Sequence, residues 1–480
     1  MNKYAKDVKS VLDKKFDEFL DLAEFIWEHP EVGLIEYDSS KKLMEFLKNE
    51  GFEIENPISE METAFKASYG NTGPVIGFSV EYDALPGLSQ KKGQSTKEEL
   101  IPGGAGHGCG HNLLGVGALS AAVVLKELIK NKNLKACVKV IGAPSEERDG
   151  AKTFIGRDGY FNDIDIMLTW HPEYKNAIWN GGSLANIIVT YNFRGTSSHA
   201  AAAPHLGRSA LDACELMNVG VNYLREHVVD SARIHYAYLD VGGNAPNVVQ
   251  SHATLYYFIR ASKINDALNI YERINDIAKG AALMAGVEVD INLKGALADY
   301  SPNLYLSGIL YDSIKEFGTP NFDDNDFKLS KSLYETLDDN TKKTARENMI
   351  YLYGDEVAKE EIEKSLVTKL APYDGKYGKM EVISSDVGEL SHYVPTAQMF
   401  LAAAPIGTPL HTWQMCSSVG SNIGKKTLYS AIGSLATCGL KAICDPKIIE
   451  KAREEFERVI GKYEAPIPNI LKIRDPKVEK

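Results

Sequence analysis

Apolar residues recur at helical spacing through residues 4–28, at Val8, Leu12, Phe16, Phe19, Leu20, Ala23, Ile26 and Trp27. That period predicts an amphipathic helix with one buried face. The helix should stop at His29-Pro30, because a proline disfavours helical backbone in the residue before it. A second helix is expected from about Ser39 to Asn49, closed by Gly51. The period then changes. Val75, Ile76, Phe78 and Val80 form a nearly unbroken apolar run, as expected of a strand buried on both faces. Similar runs occupy 136–143 (ACVKVIGA) and 164–170 (IDIMLTW), and helical stretches separate all three. This alternation predicts an α/β fold with an open, mostly parallel sheet.

Residues 184–296 follow another order: a strand (ANIIVTYNF), a helix (SALDACELMNVGVNYLREHV), two strands (RIHYAYLDV, TLYYFIRA), a helix (ALNIYERINDIAKGAALMAG) and a strand (VEVDINL). The βαββαβ order predicts a ferredoxin-like α+β domain inserted into a catalytic domain built from 1–183 and 297–480. The cleft between two such units is the usual place for a small-molecule site. Residues 319–380 are rich in charge (TLDDNTKKTARENM, GDEVAKEEIEKSLV) and read as a solvated helical insertion, with a partner surface as the other reading. The chain ends with a strand (QMFLAAAP) and an apolar helix (KKTLYSAIGSLATCGLKAIC).

A length of 480 residues suits two domains. A formal charge of -12 with no basic run argues against a nucleic-acid partner. No signal-peptide core and no apolar run of membrane-spanning length stand out, so a cytoplasmic protein without a membrane partner is expected. The six cysteines, at 109, 137, 214, 416, 438 and 444, lack the spacing of a disulfide framework.

The chemistry collects at the ends of the expected strands. The first runs into Glu81 and Asp83, the second into Glu146 and Glu147, and the third ends at His171. Between them lies PGGAGHGCGHN, where Cys109 and His111 stand two positions apart at the mouth of a helix. A thiolate and an imidazole so spaced can close on one zinc-like divalent ion. His411 follows the last strand. Ligand sites in open α/β sheets lie beyond the carboxyl ends of the strands, so Asp83, Glu146, Glu147 and His171 should converge with Cys109 and His111, with His411 a further candidate ligand. Singly, each carboxylate would pass for a solvated loop residue; the recurrence at every strand end carries the argument. Two other readings stay open. Cys109 as nucleophile with His111 as base leaves the paired glutamates and His411 without a role. A non-catalytic metal-binding protein has no need of Glu146.

Nine segments (HPEVGLIEYDSS, EYDALPG, GHGCGHN, APSEE, WHP, GTSSHAAAAP, NAPNVVQ, SSDVGELS and GTPLHTW) occur in this order along nearly the whole chain. In them the chain resembles the metal-dependent amidohydrolases that include hippurate hydrolase and auxin-conjugate hydrolase. The resemblance implies two divalent metal ions, Mn²⁺ or Zn²⁺, with Cys109 bridging and His111, Glu147, His171 and His411 completing the ligands. It implies that Glu146 is the general base and Asp83 an orienting carboxylate. The inserted domain would join a homodimer, a related second subunit being the alternative, and His199 would reach the partner's site. Asn247 matches a substrate-contacting asparagine. Asn112 and Glu81 depart from the pattern, since relatives carry Asp at each, and neither is required as a ligand. The implied substrates are N-acyl amino acids, p-aminobenzoyl-glutamate foremost, with hippurate-like conjugates and dipeptides as alternatives. On so acidic a chain a substrate carboxylate needs a local anchor. Arg260 is one candidate, an ion pair inside the small domain being its other reading.

Overall fold

The computed structural model describes residues 3–474 and 476. The first helices are α1 (Lys3–Glu28) and α2 (Tyr37–Asn49), and α1 ends one residue before His29, as the proline requires. Strands β1 (Glu53–Glu55), β2 (Phe65–Tyr69) and β3 (Val75–Val80) lead into the long helix α3 (His111–Asn131). Then come β4 (Cys137–Gly142), α4 (Ala151–Arg157), β5 (Ile166–Glu173) and the short β6 (Ala177–Ile178). A second unit follows, comprising β7 (Ala185–Arg194), α5 (Ala210–Leu224), β8 (Arg233–Asp240), β9 (His252–Ala261), α6 (Ile264–Ala285) and β10 (Glu288–Leu297). The chain returns through α7 (Leu304–Phe317), α8 (Asp324–Glu335), α9 (Asp339–Tyr353), α10 (Asp355–Lys364) and α11 (Val387–Tyr393). It finishes with β11 (Thr396–Ala402), α12 (Trp413–Val419), α13 (Asn422–Cys444) and α14 (Pro446–Val459).

The main sheet has the order β1-β2-β4-β3-β5-β11-β6. Its centre, β4-β3-β5-β11, is parallel throughout, while β1, β2 and β6 at the two margins pair antiparallel. The fold is therefore α/β with a mixed, mostly parallel sheet. Helices α1, α3, α7 and α13 bury one face of this sheet around Phe78, Val80, Leu119, Leu168 and Leu435. The second sheet has the order β10-β7-β9-β8 and is antiparallel, with α5 and α6 packed together on it.

Two expectations need correcting. Helices α3 and α13 are long and apolar enough to cross a membrane, but 94% and 83% of their apolar windows are buried inside the fold. Both are core helices, which are apolar all round because sheet and helices cover every side. The charged insertion is also more than a solvated excursion. Ala345, Met349 and Tyr353, spaced four apart along α9, join Ala358 and Val367 in an apolar cluster with Ala177, Ala402 and Ile406. The insertion thus covers the β6 margin of the main sheet, which would otherwise expose an unpaired edge.

Candidate metal centre

The four parallel strands deliver their carboxyl ends to one place. Glu81 and Asp83 follow β3, Glu146 and Glu147 follow β4, His171 lies in β5, and the chain beyond β11 reaches His411. Cys109 and His111 sit at the start of α3, whose positive end favours an anionic donor. The backbone N–H of His411 donates to the carbonyl of Gly108 at 2.8 Å. A Cβ at position 108 would lie 3.2 Å from the His411 Cα and 2.5 Å from a Leu88 methyl. Glycine there lets the two loops touch. His411 itself has a left-handed backbone (φ 63°), a conformation that persists in a side-chain-bearing residue only where its surroundings impose it.

The donor atoms fall into overlapping groups. Those of Cys109, His111 and His171 lie within 4.8 Å of one another, as do those of Cys109, Glu147 and His411, so the thiol is common to two triads. A third group joins Glu81, His111 and Glu146. Cys109 Sγ is 3.3 Å from His171 Nε2, and Glu147 Oε2 is 3.1 Å from His411 Nε2. Asp83 stands behind the cluster. Its Oδ1 is 2.8 Å from His111 Nδ1, and its Oδ2 accepts the Glu147 N–H at 3.0 Å. That contact turns His111 Nε2 towards Glu81 Oε2 (3.5 Å) and Glu147 Oε1 (3.9 Å). His171 is oriented likewise, its Nδ1 lying 2.7 Å from the Pro172 carbonyl oxygen. Carboxylate and carbonyl partners of this kind fix ring orientation in metal-binding histidines.

Electrostatics make the cluster a poor place for these groups by themselves. Burial, then Glu147 and Glu146, push the Cys109 thiol far above its ordinary pKa. Burial, then Glu81, Glu147 and Asp386, push Glu146 well up. Burial would raise Glu147 too, but His411 and His111 hold it at about 2. Burial and His111 lower His171 to about 4, keeping a neutral imidazole at neutral pH. His111 Nε2 and Glu147 Oε1 are buried without a hydrogen-bond partner. Buried polar atoms need partners, and a thiol, imidazoles and carboxylates converging in this way fit divalent ions such as Zn²⁺ or Mn²⁺.

Several residues here were not singled out from the sequence. Lys152, fully buried on α4, pairs with Asp386 and with Glu81 Oε1 (2.8 Å). Ser385 Oγ donates to Glu146 Oε1 at 2.7 Å. Glu81, which departs from the motif, is therefore tied to a buried lysine beside His111. Asn112, the other departure, is buried with its Oδ1 unpartnered. His107 packs in the core with Nε2 3.0 Å from the Ile26 carbonyl, and burial drops its pKa to about 3.

The remaining expected residues lie on the second unit. His199 is exposed, and its Nδ1 accepts the N–H groups of Ala201 (3.2 Å) and Ala202 (3.1 Å). Its neutral form must carry the proton on Nε2. Asn247, also exposed, accepts the Ala200 N–H on its carbonyl at 2.9 Å, so the two loops adjoin. Among the described residues no hydrogen bond or ion pair joins either side chain to the cluster of donors. Arg260 makes no ion pair among the described residues, which corrects that reading. Its Nη1 donates to Ser384 Oγ at 3.1 Å, across to the segment that carries Ser385, and its Nε is buried without a partner.

A cysteine-, histidine- and carboxylate-lined centre at the carboxyl edge of a mostly parallel sheet fits a metal-dependent enzyme. Residues 77–469 match the model of Peptidase family M20/M25/M40, and the chain belongs to that family. It is 37% identical over 473 residues to one of the subunits of p-aminobenzoyl-glutamate hydrolase from Escherichia coli strain K12, covering 98% of each chain. It is 28% identical over 455 residues to Xaa-Arg dipeptidase of Mus musculus, covering 91% of this chain and 88% of that one. Its fold is also that of a dinuclear metal-binding M20-family peptidase from Bacillus subtilis, with a TM-score of 0.57 at 15% identity over 89% of this chain and 99% of that one.

Proposed function

We propose that the chain hydrolyses the amide bond of N-acyl amino acids, with p-aminobenzoyl-glutamate, cleaved to p-aminobenzoate and glutamate, as the preferred substrate. The observation that carries the reaction is the pair of donor triads sharing Cys109, with Glu146 beside them on Ser385. In this reading Cys109, His111, Glu147, His171 and His411 hold two divalent ions. When bound, such ions supply Lewis acidity, lowering the pKa of water from about 15.7 to about 7 and polarising the carbonyl. Glu146 takes the proton of the attacking water and returns it to the leaving amine. Ser385, donating to one carboxyl oxygen of Glu146, fixes its rotation. Asp83 orients His111 and the Glu147 backbone together. A cysteine-nucleophile mechanism is disfavoured by the raised Cys109 pKa, since the thiolate is the reactive form.

The substrate assignment draws on the name of the 37% identical relative over the full length. Arg260 suits the glutamate carboxylate, its guanidinium being bound to no carboxylate of the described residues and partly desolvated. Asn247 contributes a further polar contact. The test is a panel of N-acyl amino acids and dipeptides assayed on the Mn²⁺-loaded protein. We expect a preference for a C-terminal glutamate under an aromatic acyl group. Preference for a basic C-terminal residue would replace this substrate with a dipeptide of the kind named for the murine relative.

The same reading includes a homodimer formed through the second unit, with His199 polarising the scissile carbonyl in the partner's site. It is supported by β8, which lies at the sheet edge, and by Leu216, Val219 and Tyr223, exposed along one face of α5. The Nε2–H of His199 has the polarity the role needs. Mixing His199→Ala chains with Glu146→Ala chains, each inactive alone, should restore part of the activity, because one hybrid site then has both residues. No recovery after demonstrated subunit exchange would remove His199 from that role. A related second subunit, as the name of the E. coli relative suggests for that protein, would show instead as activity gained only on adding the second chain.

A further inference from the structure

We infer that Arg474, in the segment after α14, is a positioning residue that holds the turn presenting Glu146 and Glu147. The inference rests on the roles given above to those two glutamates. Neighbouring side chains on an extended strand point to opposite faces, but here both carboxylates must serve one centre. The turn that achieves this begins at Ser145, which is fully buried and has a left-handed backbone (φ 54°). A residue with a side chain holds that conformation only when its surroundings over-determine it.

Four hydrogen bonds do so. The Ser145 N–H donates to Glu36 Oε1 at 2.8 Å, and Ser145 Oγ donates to Asp149 Oδ2 at 2.7 Å. The Ser145 carbonyl accepts the N–H groups of Asp149 (3.1 Å) and Gly150 (2.9 Å). Gly33 leaves the space for this, since a Cβ there would come within 2.1 Å of Ser145 Oγ. Arg474 locks the arrangement from outside. Its Nε and Nη2 bond the two oxygens of Asp149 at 3.0 Å each, and Nη2 also reaches the Gly33 carbonyl at 3.3 Å. The guanidinium therefore ties together the two segments that enclose Ser145. A bidentate pair of this kind fixes direction as well as distance, which a lysine cannot reproduce. The segment is itself anchored: Ile467 is buried, and the Leu471 carbonyl accepts Arg157 Nη1 at 2.5 Å.

The test compares Arg474→Ala and Arg474→Lys with the parent chain, once circular dichroism has established that each is folded. Hydrogen exchange over residues 143–150 should speed up in both, and more in the alanine variant. Metal affinity measured by Mn²⁺ titration should fall about 10–100-fold in Arg474→Ala, the usual cost of removing a partner behind a ligand. The Co²⁺-loaded absorption spectrum, which reports geometry at the ligands, should change with it, and kcat should fall more than KM rises. Adding Ser145→Gly should recover a large part of the metal affinity, because glycine takes the left-handed turn unaided. If Arg474→Ala does not fold, the lysine variant carries the comparison. Unchanged exchange over 143–150 with unchanged metal affinity overturns the inference, as does failure of Ser145→Gly to recover any affinity. A parent chain that binds no metal would refute the proposed function instead, and hydrogen exchange would still judge the strap.

Discussion

Glu146→Gln is expected to leave metal binding near that of the parent chain while turnover falls by about 10²–10⁴, the range for removing a general base. The substitution keeps shape and keeps an oxygen for Ser385 to donate to, so the side chain stays in place. What it removes is the capacity to accept a proton. KM should change little, since the residue binds the proton in transit rather than the substrate at rest. Glu147→Gln is the contrasting control. Glu147 lies 3.1 Å from His411 and within one donor triad, so losing its charge should lower metal occupancy first and activity in consequence. Elemental analysis of both variants separates the roles. The donor atoms of Glu146, Glu81 and His111 also lie within 4.8 Å of one another. Equal metal loss in both variants would therefore make Glu146 a ligand and transfer the base to another group.

Strand periodicity and strand-end chemistry point to one edge of the sheet, where Asp83, Glu146, Glu147 and His171 meet Cys109 and His111 of the glycine-rich loop. The reason is geometric: parallel strands joined by helices must all point their carboxyl ends the same way. The groups behind them were not legible. Lys152 lies in AKTFIGR, where one lysine among apolar helix positions looks like a solvated residue, and only the packing of α4 against α11 shows it meeting Asp386. Buried charges are recognised by their partners, and Asp386 and Glu81 come from segments about 300 residues apart. Glu36 and Arg474, which grip the Ser145 turn, are likewise distant in sequence. The insertion misled for a different reason. Ala345, Met349 and Tyr353 carry the four-residue spacing of a buried face, but the dense charge around them masked it.

Prolonged chelation should abolish activity, and Mn²⁺ or Zn²⁺ should restore it. Glu81, Asp83, Glu146, Glu147 and Asp386 crowd one buried region, and Lys152 is the buried lysine among them. Without cations, burial first and the mutual repulsion of the carboxylates second favour the protonated forms, which is why Cys109 and Glu146 are pushed upward. Protonated, the thiol is no metal ligand and the carboxyl no base. Divalent ions reverse both effects, because a coordinating thiol gives up its proton. Metal uptake near neutral pH should therefore release protons measurable in weakly buffered solution, and affinity should rise with pH as that release becomes easier. The loaded protein should also unfold at a higher temperature, since a ligand at 100 times its Kd stabilises the native state by about 2.7 kcal/mol per site. Full activity in a preparation with no metal detectable by elemental analysis would refute the two-ion reading. Restoration by metal without proton release would keep the ions but show that Cys109 is not among their ligands.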